Sequence, residues 1–153
     1  MLLVERRRRR RRGLAAVAAV VALVAIGASL TRATAGSPPP VIVRAALHPL
    51  DARVVAAGSV TVAASGTTRE LTVETRHLAH PPAQSFYEVW LLDLTSLKML
   101  PMGVLPPSGN GDYSVRANLM AGYSAVDVSL QANNGHPAHS NTSLLRASYG
   151  VAT

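Results

Sequence analysis

The stretch FYEVWLLD, residues 86–93, decides the fold more than any other part of the chain. Alternate residues of a β-strand point to opposite faces of a sheet. One face would carry Tyr87, Val89 and Leu91, and the other would carry Phe86, Trp90 and Leu92. Because both faces are almost entirely apolar, we predict an interior strand that is covered on both sides, with Trp90 anchoring the core.

Three further stretches alternate apolar and polar residues, which indicates half-buried antiparallel strands. They are SVTVAAS (59–65), ELTVETR (70–76) and VDVSLQ (126–131). In the third stretch, Asp127 is expected to point away from the core. Five more short strands are predicted, at residues 41–47, 53–57, 99–105, 113–116 and 143–148.

Turn signals rich in Gly, Pro and Asn separate these strands. About eight short strands at this spacing predict an all-β fold, an immunoglobulin-like antiparallel β-sandwich. The chain of 153 residues contains one Trp, one Phe and four Tyr, so we expect a mostly aliphatic core. The stretch SGNGD (108–112) is predicted to be a hairpin turn rather than a phosphate-binding loop.

The formal net charge of +7 belongs entirely to the N-terminal region. Residues 1–32 contain eight arginines against the single acid Glu5, whereas the other 121 residues contain seven basic and seven acidic side chains. A nucleic-acid-binding domain spreads its basic residues over a groove or a folded face. The neutral body of this chain therefore excludes a nucleic-acid partner.

Residues 13–31 contain no charged side chain. As a helix they would span about 28 Å, close to the hydrocarbon thickness of a bilayer. The arginines at 6–12 would hold the N-terminus in the cytoplasm. We therefore expect a single-pass protein of the plasma membrane with four parts: a basic cytoplasmic stub (1–12), a transmembrane signal anchor in the lipid bilayer (13–31), a Pro/Gly/Ser-rich linker (32–40) and an extracytoplasmic domain (41–153).

A cleaved signal peptide is the alternative to this anchor. Ala33-Thr34-Ala35 supplies the small-residue pattern of a cleavage site. However, the apolar stretch is longer than the usual core of about 7–15 residues, and Arg32 separates it from the site. These two features favour an uncleaved anchor.

The chain has no cysteine, so a disulfide framework, a thiolate metal site and a thiol nucleophile are excluded. Two H-x-x-H pairs, His77/His80 and His136/His139, raise the alternative of a secreted or anchored copper- or zinc-binding β-sandwich module. Both pairs fall in predicted loops, where no helix face fixes their geometry, so we assign no metal site and no cofactor. We expect Met99 and Met102 to pack at a strand edge. No catalytic motif is present, which favours a non-enzymatic protein.

Three local patterns together resemble the C-terminal extracytoplasmic domain of the anti-sigma-K factor family. They are YEVWLLD (87–93), MGVL (102–105) and YSAVDVSLQANNGHPAHSNTSLLRA (123–147). The resemblance covers about residues 41–147, and the basic flank with one apolar segment agrees with the family's layout. It implies a membrane-anchored regulator whose outer domain helps control a cytoplasmic sigma factor, with release through regulated proteolysis.

The N-terminal region departs from the family pattern. Members carry a helical sigma-binding domain, often with an H-x-x-x-C-x-x-C motif, whereas only twelve residues precede Gly13 here. Three explanations stay open: a start site placed too far downstream, a separately encoded sigma-binding partner, or an outer domain with another task. A structural domain that binds another envelope protein is a further alternative.

Overall fold

The computed structural model describes residues 37–150, and most of them lie in β-strands. Among these residues no helix is long and apolar enough to cross a membrane. The predicted stub (1–12), transmembrane segment (13–31) and cleavage site (33–35) lie outside the described residues. These three features and the domain boundaries therefore remain predictions.

Eight strands and one short helix make up the described part of the chain. The strands are β1 (Val41–Pro49), β2 (Ala57–Ser65), β3 (Thr68–Arg76), β4 (Ser85–Leu92), β5 (Met99–Val104), β6 (Asn110–Arg116), β7 (Ala125–Ala132) and β8 (Ser143–Ser148). The helix α1 (Ala117–Met120) has one turn and places Met120 in the core. The prediction of an all-β fold with about eight strands is confirmed.

All neighbouring strands pair antiparallel in the order β5-β4-β7-β8-β1-β2-β3-β6. Strand β1 joins the two halves of this sheet, because residues 41–47 pair with β2 whereas His48 and Pro49 pair with β8. The strands thus form one continuous sheet rather than two separate ones. The immunoglobulin-like sandwich is therefore not confirmed.

The two edge strands of the sheet approach each other, which gives it a nearly barrel-like form. The Tyr113 hydroxyl on β6 donates a hydrogen bond to the Val104 carbonyl on β5, at 3.1 Å. Partial burial, with a smaller contribution from Asp112, raises the pKa of Tyr113 to about 12, so this hydroxyl remains a donor at neutral pH. Met99 and Met102 both lie on the edge strand β5, as predicted, and Met102 packs against the core.

A single aliphatic core fills the interior of the curved sheet. It takes alternate residues from nearly every strand, as the period-2 pattern predicted. The largest side chains that are fully buried here are Leu47, Val60, Val62, Leu71, Val73, Val89, Leu91, Val126, Val128 and Leu145. The predicted interior position of 86–93 is confirmed, because β4 pairs with β5 on one side and β7 on the other.

Two local predictions are wrong. Residues 53–56 form no strand, because Asp51 accepts hydrogen bonds from the Arg53 backbone and side chain and closes a turn there. The stretch 108–112 is no hairpin turn, because β5 pairs with β4 whereas β6 pairs with β3. The segment 105–109 instead crosses between the two edges of the sheet, and Asn110 to Asp112 belong to β6.

Antiparallel pairing sorts the connections between strands to two ends of the sheet. We call one the four-loop end, because it carries the segments 50–56, 77–84, 105–109 and 133–142. We call the other the entry end, because the chain enters β1 there at Val41. The entry end carries the connections 66–67, 93–98 and 117–124. All four histidines of the H-x-x-H pairs lie at the four-loop end.

Candidate functional site

A buried carboxylate, Asp127 on β7, is the centre of the most extensive polar cluster among residues 37–150. Its side chain is fully buried on the face opposite the core. Arg146, its cross-strand neighbour on β8, donates to Oδ1 from Nε (2.9 Å) and Nη2 (2.7 Å). Ser143 donates its hydroxyl to Oδ2 at 2.7 Å. Removing a charge from water costs several kcal/mol, on the order of the desolvation penalty of one ion. The buried Asp127 carboxylate therefore requires these partners.

The loop 133–142 contributes His139 to the same carboxylate. His139 Nε2 lies 3.3 Å from Asp127 Oδ2, and Nδ1 accepts a hydrogen bond from the Asn141 backbone N–H at 3.0 Å. Because Nδ1 is an acceptor, we assign the proton to Nε2, which donates to the carboxylate. The imidazole thus fastens the loop to β7. We call Asp127, Arg146, Ser143 and His139 the Asp127 cluster.

Trp90 lies beneath this loop and outside the main core cluster, so the prediction that it anchors the core is confirmed for its burial only. It is buried, but on the face of β4 that carries the Asp127 cluster. Its ring meets the His139 ring edge to face, with centroids 5.2 Å apart. Its Nε1 donates to Ser129 Oγ at 3.0 Å, and Gln131 Nε2 donates to the same oxygen at 2.9 Å. The loop therefore covers a second buried layer outside the core.

Glu88 brings a second carboxylate to this face of the sheet. It sits opposite Ser129 on the neighbouring strand, two residues before Trp90. Partial burial raises the pKa of Glu88, and its electrostatic interaction with His139 opposes that shift in part. His139 therefore contacts one carboxylate, that of Asp127, and lies within electrostatic range of a second, that of Glu88.

The Asp127 cluster has the residue types of a Ser-His-Asp triad but not its arrangement. In a triad the serine hydroxyl donates to the histidine, which acts as the base. Here the Ser143 hydroxyl donates to the carboxylate instead, and both nitrogens of His139 are already engaged. The cluster can hold a loop in place, but its histidine offers no free lone pair to activate a nucleophile.

The two histidine pairs line different cavities. His77 and His80 line a cavity of about 270 Å³, whereas His136 and His139 line one of about 220 Å³ under their own loop. In the described part of the chain, no group of three or more His, Cys, Asp or Glu side chains is placed to hold a metal ion. The structure thus gives the metal-binding alternative no supporting geometry.

A third cavity, of about 410 Å³, lies beside the first at the four-loop end. Both are lined by the segment 77–79 and by Tyr87. His77 has a left-handed backbone, with φ of 58°, a conformation in which His is tolerated better than most residues. Most of the other lining residues are Ala, Leu, Pro and Val, so the paired cavities offer mainly apolar walls with a few polar groups.

Sequence reasoning missed the Asp127 cluster although two signals pointed to it. The first is that β4 is apolar on both faces, which requires a cover on the side away from the core. The second is that the outward positions of β7 carry Asp127, Ser129 and Gln131, which are short or neutral polar groups able to pair beneath a cover. What the sequence did not reveal is that the loop 133–142 folds back over them.

The fold and the cluster define an all-β domain in which buried polar groups hold a loop against the sheet. A family model described as "Anti-sigma-K factor rskA, C-terminal" matches residues 14–143. The match covers most of the chain, so the chain belongs to this family, and the resemblance seen in the sequence is confirmed. The family assigns the chain to anti-sigma regulation and implies interaction with a sigma factor at that general level. No curated protein and no solved structure matches the chain significantly.

We predict that Asp127→Asn lowers the free energy of unfolding by about 3 kcal/mol, because it leaves the Arg146 guanidinium without a countercharge in a partly buried site. Urea unfolding followed by circular dichroism measures this loss. The matched control is Asp51→Asn, which breaks the exposed pair with Arg53 and should cost less than about 1 kcal/mol. Equal losses in the two variants would contradict the structural role of the Asp127 cluster.

We predict that His139→Ala shifts the emission of the single tryptophan to longer wavelength and makes it accessible to acrylamide, because the loop loses its contacts with Asp127 and Trp90. His136→Ala is the control from the same loop, since the His136 side chain is exposed. That variant should leave the emission unchanged. Identical spectra for the His139→Ala variant and the parent chain would show that His139 does not hold the cover.

Proposed function

We propose that the chain is a single-pass membrane protein whose β-domain lies outside the cytoplasm and takes part in the control of a sigma factor. The observation that carries this proposal is the extent of the family match. It starts at residue 14, within the uncharged segment 13–31, and runs through strands β1 to β7. The apolar segment and the sheet thus belong to one family unit.

The charge distribution supports the orientation in this proposal. Seven consecutive arginines precede the uncharged segment and one arginine follows it. Basic residues are retained on the cytoplasmic side of a membrane span. The β-domain would therefore be exported, and an uncleaved span would keep it at the membrane with the lipid bilayer as its first partner.

We infer a regulatory and not an enzymatic role for the domain. The side chains that could have formed a hydrolytic site, Ser143, His139 and Asp127, are committed to one another and to Arg146. The four-loop end lies away from the point where the chain enters the sheet. With its two neighbouring cavities it is the surface best suited to an envelope protein or to a separately encoded sigma-binding partner.

We expect deletion of the gene from its native host to raise a group of transcripts that share one promoter sequence, because loss of an anti-sigma factor releases its sigma factor. Transcript sequencing of the deletion strain and of a strain that carries the gene back measures this. The full chain should restore the parental levels. A variant that lacks residues 41–150 but keeps residues 1–40 should not.

The same strains test the anchor. The full-length chain should stay in the membrane fraction after extraction with alkaline carbonate. A soluble form that starts at Gly36 would count against the membrane anchor. In the deletion strain, transcript levels equal to those of the parent would count against sigma-factor control.

A further inference from the structure

Five of the eight large apolar side chains that are exposed among the described residues lie at the entry end of the sheet. Leu97 is 72% exposed, and the other four are close to half exposed. These five side chains, which we call the apolar rim, are Val41, Ile42, Leu94, Leu97 and Leu119. They come from the start of β1, from the connection 93–98 and from helix α1. Contiguous exposed apolar groups of this kind mark an interaction surface.

Backbone hydrogen bonds link the segments that carry the apolar rim. Ala64 N donates to the Pro40 carbonyl at 2.8 Å, which ties the start of β1 to the end of β2. Ala117 N donates to the Thr67 carbonyl at 2.9 Å, which ties α1 to the β2–β3 connection. Leu94 N donates to Ser124 Oγ at 3.1 Å, which ties the 93–98 turn to the segment after α1. The segments that carry the apolar rim are therefore held together at one end of the sheet.

Hydrogen bonds to Asp93 order the turn 93–98, which carries the exposed Leu94 and Leu97. The Asp93 carboxylate accepts hydrogen bonds from the Thr95 and Ser96 backbone N–H groups, at 3.0 and 3.3 Å. The hydrogen bond from the Ser96 hydroxyl contributes most to keeping the pKa of Asp93 below its usual value, and the backbone hydrogen bonds add to this effect. Leu97 N donates to the Asp93 carbonyl at 2.8 Å and closes the turn.

Leu97 itself occupies a backbone conformation that suits glycine or asparagine. Its φ is 58°, in the left-handed region, where a bulky side chain is strained. Because the Leu97 side chain is exposed, no burial in the core of the domain offsets this backbone strain. The turn thus presents a large apolar side chain outside the sheet, where burial against another surface would offset its exposure.

Basic side chains accompany the apolar rim. Lys98 follows Leu97 directly, Arg116 precedes α1, and Arg69 lies next to the β2–β3 turn. Of the acids at this end, Asp93 is engaged within its own turn, and Glu70 accepts hydrogen bonds from Thr68 and Ser114. Leucines flanked by lysine and arginine are the combination that binds the interface of a lipid bilayer.

The position of the apolar rim also favours the lipid bilayer as its partner. The nine residues 32–40 separate the predicted span from β1, and even a fully extended segment of that length reaches only about 30 Å. The entry end is therefore tethered close to the bilayer if the span is membrane-inserted. We propose that the apolar rim lies on the lipid surface, with Leu94 and Leu97 in the interfacial region, so that the four-loop end points away from the membrane. This inference rests on the single-pass anchor of the proposed function.

The absence of cysteine allows a direct test. The full chain is placed in lipid nanodiscs of phosphatidylcholine with one third phosphatidylglycerol, as the variants Leu97→Cys and Val55→Cys, each labelled with an environment-sensitive fluorophore. Val55 is the matched control, because it is an exposed apolar residue at the four-loop end. Lipid that carries a nitroxide near the headgroup should quench the label at position 97 several-fold more than the label at position 55.

The outcomes separate this inference from the proposed function. A chain that does not co-elute with the nanodiscs contradicts the anchor and the lipid-facing rim together. A chain that co-elutes but shows equal quenching at the two positions overturns only the lipid-facing rim. A label at position 97 that is shielded from water yet unquenched by nitroxide lipid indicates a protein partner or a second copy, and also overturns it.

Discussion

The carboxylate of Asp127 is the constraint on which the arrangement of this domain depends. It is fully buried on a sheet face that would otherwise be open to solvent, so its charge has to be met inside the protein. Arg146 and Ser143 pair with it from the neighbouring strand β8, and His139 contacts it from the loop 133–142. The pairing fixes the register of β7 with β8 and fixes the loop 133–142 above them.

That loop explains the feature of the sequence that decides the fold. Strand β4 can be apolar on both faces only because one face lines the core and the other lies under a cover. Trp90 fills the space between the sheet and His139, and its indole N–H is satisfied by Ser129. The domain thus has a core inside the curved sheet and a smaller buried layer outside it, with the Asp127 cluster holding the outer layer closed.

The sequence predicted the elements well and the long-range arrangement less well. Period-2 alternation is a local property, so the strands around Val60, Leu71 and Val126 could be predicted from their own residues. The partner of each strand is not local, so the Gly-rich stretch after Pro107 has the sequence of a hairpin turn although it leads from one edge of the sheet to the other. Asp127 was predicted to point away from the core, which is correct, but its burial depends on a loop whose path no pattern in the sequence specifies.

The two ends of the sheet differ in chemistry, with cavities and histidines at the four-loop end and leucines with basic residues at the entry end. Between them, the Asp127 cluster holds the outer buried layer closed over Trp90. Hydrogen exchange of the single indole N–H, followed by NMR, tests that closure most directly, because Trp90 gives one resolvable signal. We predict slow exchange in the full chain and fast exchange in the Asp127→Asn variant. Exchange at the rate of a free indole in the unmodified chain would contradict a buried layer held by Asp127.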